Sequence, residues 1–247
     1  METKGYEEEP ASGQVLRRQF RGCLKDGTEN TEEWNTACRE AETLIRQSIR
    51  EGRLLTASLY RYQNMLFLYY EALNKEVMPE DFLSPLAPFL ETWPEESGKR
   101  EWAAMYAIYW HSVPKETAAW EAARCGAKQR IGRIAFVHPE KLFSYTYWHQ
   151  AIVEEGLLKG DQYQFISLHE NILFSYFEEP KHLVNIRGSE EESRVIGDWL
   201  KADPESHFDR VKAGGSNFRI IEAVLSAGTA EAFESRGIRK RKVPEEF

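Results

Sequence analysis

The chain has 247 residues, of which 42% are hydrophobic and 13% aromatic, so it can bury one large or two small cores and extensive disorder is not expected. A formal charge of −8 and a pI near 5.4 disfavour non-specific binding to nucleic acid or to an anionic membrane, because both surfaces would repel the protein. The acidic start of the chain and the lack of a long apolar run predict no signal peptide and no membrane span.

Cysteine usage favours a reducing compartment. Cys23, Cys38 and Cys125 are odd in number and form no Cys-x-x-Cys pair, which is typical of free thiols rather than of a disulfide framework. We therefore expect a cytoplasmic protein. The basic run from Arg239 to Lys242 is either a docking element or a solvated tail.

The first half of the chain alternates strand and helix patterns after an acidic arm over residues 1–13, which we expect to be disordered. In chain order we predict a strand at Leu16 to Lys25, a turn at Asp26 to Thr31, a helix at Thr31 to Arg53, strands at Leu55 to Tyr62 and Met65 to Leu73, a helix at Glu80 to Thr92 and a strand at Met105 to Trp110. The order β-α-β-β-α-β is that of the ferredoxin-like fold.

The second half predicts the same order. Its elements are a strand at Ile131 to His138, a helix at Glu140 to Lys159, strands at Tyr163 to Leu168 and Ile172 to Glu178, a helix at Glu190 to Leu200 and a strand at Phe218 to Leu225. We therefore divide the chain into an arm (1–13), a first ferredoxin-like half (14–113), a linking helix (114–128), a second half (129–228) and a tail (229–247).

A repeated octapeptide supports this division. Asn64 to Glu71 reads NMLFLYYE and Asn171 to Glu178 reads NILFSYFE, with five identical positions at an offset of 107 residues. Such self-similarity indicates a duplicated unit. Because one ferredoxin-like sheet leaves a face bare, we predict an α+β fold in which the two units pack sheet to sheet as an intramolecular dimeric α/β barrel.

A phenol and an imidazole lie one helical turn apart in the second half. Tyr145 and His149 are four residues apart on the predicted helix, so they share a face. Histidine titrates near neutral pH and tyrosine keeps its proton there, which together allow general acid/base chemistry on a hydroxylated ligand. The same spacing is also typical of packing residues in an aromatic-rich helix.

The run Phe136 to Pro139, followed by Tyr145, His149 and Ile152, resembles the L-rhamnose mutarotase family, as do Gly160 to Tyr163 and Asn171 to Phe174. The resemblance covers roughly residues 130–225, and residues 16–110 more weakly. It implies a cytoplasmic enzyme without metal or organic cofactor that interconverts the anomers of a pyranose.

The family resemblance also implies residue roles. His149 would be the acid/base and Tyr145 would help to hold the sugar, with Tyr163 and Trp199 as further substrate contacts; we add His138, at the end of the first strand of this half. At the repeat offset the position of His149 is taken by Glu42, so the first half would carry a degenerate site.

Two other functions remain open. The chain could be a non-catalytic module that binds a small ligand or a protein, or a haem or small-aromatic monooxygenase of the same fold, because a fold does not determine chemistry. The scattered histidines lack metal-ligand spacing, so no metal is expected. Further association into a homo-oligomer is possible.

Overall fold

The computed structural model describes residues 13–95, 98–124, 129–187 and 191–229. The predicted arm and tail, with the basic run 239–242, lie outside the described residues except for Gly13 and Thr229, and so does Cys125. None of the described helices combines the length and the apolar character needed to cross a membrane.

The first half contains the predicted elements with one correction. Its bounds are β1 Val15–Cys23, α1 Glu32–Arg50, β2 Leu54–Tyr62, β3 Met65–Leu73, α2 Glu80–Leu83, β4 Trp93–Glu95, β5 Gly98–Arg100, β6 Ala103–Ala104 and β7 Tyr106–Trp110. The side chain of Thr31 accepts from the N–H of Trp34 and starts α1. The helix predicted up to Thr92 is wrong beyond Leu83: Pro85 and Pro88 lack N–H donors, and the chain forms a 3₁₀ turn over Ser84–Phe89 instead.

The second half follows a short linking helix. The bounds are α3 Thr117–Ala122, β8 Gln129–Phe136, α4 Leu142–Glu155, β9 Lys159–Asp161, β10 Phe165–His169, β11 Ile172–Glu179, β12 Leu183–Asn185, α5 Arg194–Lys201, β13 Arg219–Ile220 and β14 Glu222–Gly228. Helix α4 stops short of the predicted Lys159 because Gly156 takes a left-handed conformation (φ 67°) at its end. Helix α5 starts at a cap from Ser193, later than the predicted Glu190.

The two sheets exchange their last strands. One sheet has the order β6-β1-β3-β2-β14 and the other β13-β8-β11-β10-β7, and all their pairings are antiparallel. Strand β7 of the first half thus joins the second sheet, and β14 of the second half joins the first. This is the intramolecular dimeric α/β barrel that the sequence predicts, with a strand exchange that it does not.

The exchange occurs at or next to two predicted strands. The first, over 105–110, corresponds to β7 beside β10, and Ala103–Ala104 just before it form β6 beside β1. The second, over 218–225, begins as β13 beside β8 and crosses to β2 as β14. At the two crossings Met105 N–H donates to Gln19 O and Ile221 N–H to Gly132 O, both at 3.0 Å. Each crossing pairs a strand edge that would otherwise stay open.

The repeated octapeptide occupies equivalent places, as its duplication predicts. Both copies begin in the turn of a hairpin, where Gln63 and Glu170 have φ of 55° and 56°. The carbonyl of Asn64 accepts from Leu24 N–H at 2.7 Å, and that of Asn171 accepts from Val137 N–H at 2.9 Å.

Side chains of both sheets fill the space between them. Phe174 lies 5.3 Å from Phe67 and 5.7 Å from Tyr60, centroid to centroid. The backbone of Gly132 leaves the room that Tyr60 needs, since a Cβ there would lie 2.6 Å from its ring. The helices cover the outer faces, α1 on the first sheet and α4 with α5 on the second. The barrel interior is therefore a packed core.

Candidate functional site

Tyr145 and His149 lie together on α4, against the outer face of the second sheet. The Nδ1–H of His149 donates to the backbone carbonyl of Tyr145 at 2.8 Å, and the two rings stack at 3.9 Å. A proton on Nδ1 leaves the lone pair on Nε2. Burial lowers the pKa of His149 to about 4, so the imidazole is neutral at neutral pH. Burial also raises the pKa of the Tyr145 phenol.

Aromatic rings enclose this pair. Trp199 of α5 lies 5.6 Å from His149 and 6.0 Å from Tyr145, and Phe208 lies 5.6 Å from Tyr145 on another side. His207 lies 4.7 Å from Trp199 and bonds Ser144 Oγ at 3.0 Å through Nε2. The described cavities are lined by neither Tyr145 nor His149. Tyr145 is buried among these rings, whereas His149 is half-buried.

Of the other predicted site residues, Tyr163 lies apart from this group and His138 borders it. Tyr163 is at one end of the barrel, where its hydroxyl donates to the carbonyl of Trp120 at 2.8 Å. His138 is half-buried at the end of β8, and its N–H donates to the carbonyl of His207 at 2.9 Å. The structure therefore brings together Tyr145, His149 and Trp199, and their assignment to a site stays a prediction. His207 belongs to the same group, but no spacing in the sequence links it to α4.

A buried polar cluster, which the sequence did not reveal as a site, lies at the end of the barrel near Tyr163. The repeat places Tyr69 and Tyr176 ring on ring, 3.6 Å apart at 10°. Tyr69 donates to Glu71 Oε1 at 2.6 Å, and Tyr176 donates to Glu178 Oε1 at 2.8 Å. The conserved spacing within the repeat was the available signal, since Tyr-x-Glu occurs in both copies.

One guanidinium, that of Arg124 in the linker, binds the carboxylates of both Glu71 and Glu178. Arg124 Nη2 lies 2.7 Å from Glu71 and 3.0 Å from Glu178, and neither Glu side chain is exposed. The indole of Trp120 also donates to Glu71 Oε2 at 3.1 Å. Burial alone would raise both pKa values, but Arg124 holds the pKa of Glu71 below its usual range, whereas burial dominates at Glu178 and raises its pKa.

A cleft of about 680 Å³ opens outside this cluster, between the linker and the β9–β12 ribbon. Eight of the fourteen side chains along it are apolar; the lining is Trp110, His111, Ser112, Val113, Pro114, Lys115, Glu116, Ala119, Trp120, Val153, Gln162, Val184, Asn185 and Ile186. Val113 and Ile186 are exposed at its rim. We call this the barrel-end cleft.

His111 fixes one wall of the barrel-end cleft. Its Nε2 lies 2.8 Å from the carbonyl of Val184 and 3.2 Å from the backbone nitrogen of Gly160. The carbonyl is the nearer partner and can only accept, so Nε2 carries the proton. Its Nδ1 then accepts from the hydroxyl of Tyr109 at 2.9 Å. Burial lowers the pKa of His111. The neutral ring of His111, with hydrogen bonds at both nitrogens, therefore anchors the β9–β12 ribbon to the end of β7.

The described residues do not bring three or more histidine, cysteine or acidic side chains into a group that could hold a metal ion. His111 and His207 are also poorly placed to bind the iron of a haem. Both ring nitrogens of each are in hydrogen bonds. An axial ligand needs a free ring nitrogen facing open space.

No protein-family model matches the chain, and no curated protein does. Two solved structures with a similar fold are described as suggested monooxygenases. The one from Fusobacterium nucleatum subsp. nucleatum ATCC 25586 has 8% sequence identity and a TM-score of 0.40, over 88% of this chain and 96% of that chain. The one from Lactobacillus acidophilus NCFM has 8% identity and a TM-score of 0.41, over 87% of this chain and 97% of that chain. A chlorite dismutase from Candidatus Nitrospira defluvii has 13% identity and a TM-score of 0.34, over 91% of this chain and 95% of that chain.

These likenesses are too low to carry an inference about activity. The dimeric α/β barrel fold follows from the strand order and the exchanged strands themselves. Membership of the L-rhamnose mutarotase family is shown by none of these comparisons.

Proposed function

We propose that the chain is a small-ligand-binding module of the dimeric α/β barrel class and that its ligand occupies the barrel-end cleft. The carrying observation is the cleft itself, which combines a volume of about 680 Å³ with a mainly apolar lining and a few fixed polar groups. Binding sites for small molecules have this size and composition, and they favour the mouths of barrels.

The lining favours a flat and mostly apolar ligand. Trp110 offers an aromatic ring, and Val184 and Ile186 offer aliphatic contacts. Gln162 is half-buried there and supplies an amide for one oxygen or nitrogen of the ligand.

The burial of Tyr145 and the ring contacts of His149 favour binding over catalysis. A mutarotase must bring its acid and base to the anomeric hydroxyl and the ring oxygen of a sugar. Here a backbone carbonyl and neighbouring rings already occupy the surroundings of the pair. We therefore assign His149 a packing role in the proposed module. Activity assays test whether it is a catalytic residue instead.

The test uses the fluorescent probe 8-anilinonaphthalene-1-sulfonate and the quinone menadione, titrated into the full chain. We expect saturable binding of both compounds. Ile186→Glu places a charge at the apolar rim and should weaken binding at least about tenfold. Val211→Glu is the matched control, because Val211 is 90% exposed away from the cleft and should leave binding unchanged.

Two activity assays complete the test. Saturation-transfer NMR of anomeric protons with L-rhamnose and other monosaccharides measures mutarotation, and an oxygen electrode with menadiol measures oxidation of a small aromatic compound. Catalysed anomer exchange that His149→Ala removes would replace this proposal by the mutarotase hypothesis, and His149-dependent oxygen uptake would replace it by the monooxygenase hypothesis. Equal probe binding by wild type and Ile186→Glu would reject the cleft as the site.

A further inference from the structure

The outer faces of α4 and α5 carry large apolar side chains that nothing in the chain covers among the described residues. Phe143 is 91% exposed and Tyr147, one turn further along α4, is 64% exposed. Leu200 of α5 is 65% exposed. The two helices pack together through Trp148 and Trp199, whose rings lie 6.1 Å apart. We call Phe143, Tyr147 and Leu200 the helix-face patch.

An unpaired surface of this kind is unusual for these residue types. Phe143 and Tyr147 are four residues apart, so they project from the same side of α4. Single exposed apolar residues are common, but grouped aromatic residues on one helix face are typical of interfaces. The corresponding first-half helix, α1, exposes charged and polar residues instead, among them Glu33, Arg39 and Glu40.

We propose that the helix-face patch is the interface through which two copies of this chain form a symmetric dimer. The exposed areas of its three side chains sum to about 400 to 500 Å² per copy. Two copies would thus bury about 800 to 1,000 Å² from these side chains alone, and a stable interface buries about 1,200 to 2,000 Å² including its polar rim. The patch is therefore the right size for the apolar core of a standard interface.

A second copy is the occupant that the symmetry favours. In a two-fold interface the same patch meets itself, so a residue on one helix can contact a residue on the other helix of the partner. Such an arrangement can set the rings of α4 on the aliphatic side chain of α5. The barrel-end cleft lies outside the patch, so this inference does not depend on the proposed ligand.

Multi-angle light scattering after size exclusion, from low to high micromolar concentration, tests the inference. We expect a species of twice the 28.7 kDa chain mass that dissociates on dilution. Phe143→Glu with Tyr147→Glu should give a monomer at every concentration. Val211→Glu, which charges an equally exposed apolar site elsewhere, should remain a dimer.

Two results would overturn the inference. One is a wild-type chain that stays monomeric at the highest concentration. The other is a dimer that survives the double substitution. Near-ultraviolet circular dichroism establishes that each variant is folded, and Leu200→Lys, at a solvent-exposed position of α5, provides an independent variant with the same expected loss of dimer. A partner protein in place of a second copy would appear as a wild-type monomer.

Discussion

Replacing Arg124 by Met removes a guanidinium that bridges the two buried carboxylates of the barrel end. The guanidinium lies within 3.0 Å of both Glu71 and Glu178, and its own side chain is 8% exposed. Breaking a buried ion pair by deleting one partner costs about 3 to 5 kcal/mol, mainly because the remaining charge stays buried without its partner. Two carboxylates are affected here, while hydrogen bonds from Tyr69, Tyr176 and Trp120 remain. We expect a loss of about 4 kcal/mol in the free energy of unfolding.

Urea unfolding followed by circular dichroism measures this loss, and the Tm should fall by about 8 to 16 °C for a chain of this size. Arg194→Met is the matched control, because Arg194 is 91% exposed and its solvated pair with Asp198 should leave the free energy of unfolding nearly unchanged. Adding Glu178→Gln to Arg124→Met should recover part of the loss by removing one unpaired charge. An Arg124→Met variant within about 1 kcal/mol of wild type would refute the role assigned to this cluster.

Three further perturbations test other parts of the structure. Burial raises the folded-state pKa of Glu178 above its usual value, so the contribution of Glu178 to wild-type stability should decline as the pH rises from 4.5 through that folded pKa. Urea unfolding at several pH values should show that the Glu178→Gln variant lacks this decline. His149 has a folded pKa of about 4 against 6.5 when unfolded, so the stability of the wild type should fall as the pH falls from 6.5 towards 4. Burial also lowers the pKa of nearby His207, which acts in the same direction, so the stability of His149→Gln should fall with pH too, but less steeply. Gly132→Ala should cost about 1 to 3 kcal/mol of stability, because its Cβ would meet the buried ring of Tyr60 at 2.6 Å. Gly197→Ala, on the open surface of α5, should stabilise the protein by about 0.5 to 1 kcal/mol. Thermal melts that shift the Tm of both variants in the same direction would contradict this.

Local patterns predicted most of the fold because they act over short distances. The repeated octapeptide identified the duplication, and the period-two strands around it gave the hairpins in their observed places. The missed helix end after Leu83 had a visible cause, since Pro85 and Pro88 stand in the predicted helix. The strand exchange had no visible signal in the sequence, because a segment that passes from one sheet to the other at Met105 looks like a single apolar run.

The site was harder to predict than the fold. The helical spacing placed Tyr145 and His149 together correctly, but spacing carries no information on what covers a helix face. Trp199 and His207 approach from other elements, and their contacts depend on tertiary packing. The barrel-end cleft combines residues of the linker, β7 and the β9–β12 ribbon, which lie far apart along the chain. Arg124 stood in a segment interpreted only as a linking helix.

Carrying both copies on one chain allows a residue to occur once where symmetry would demand two. In a dimer of identical subunits, every group beside the two-fold axis has a twin, so two guanidinium groups would compete for the space between Glu71 and Glu178. The linker belongs to neither copy of the repeat, and it supplies a single Arg124 to both carboxylates. The duplicated halves can then diverge on either side of a shared cation, as Phe177 and Tyr70 have done beside the conserved Tyr-x-Glu positions. In a fused chain, a position beside the approximate symmetry axis can therefore hold one unique side chain that contacts both halves at once.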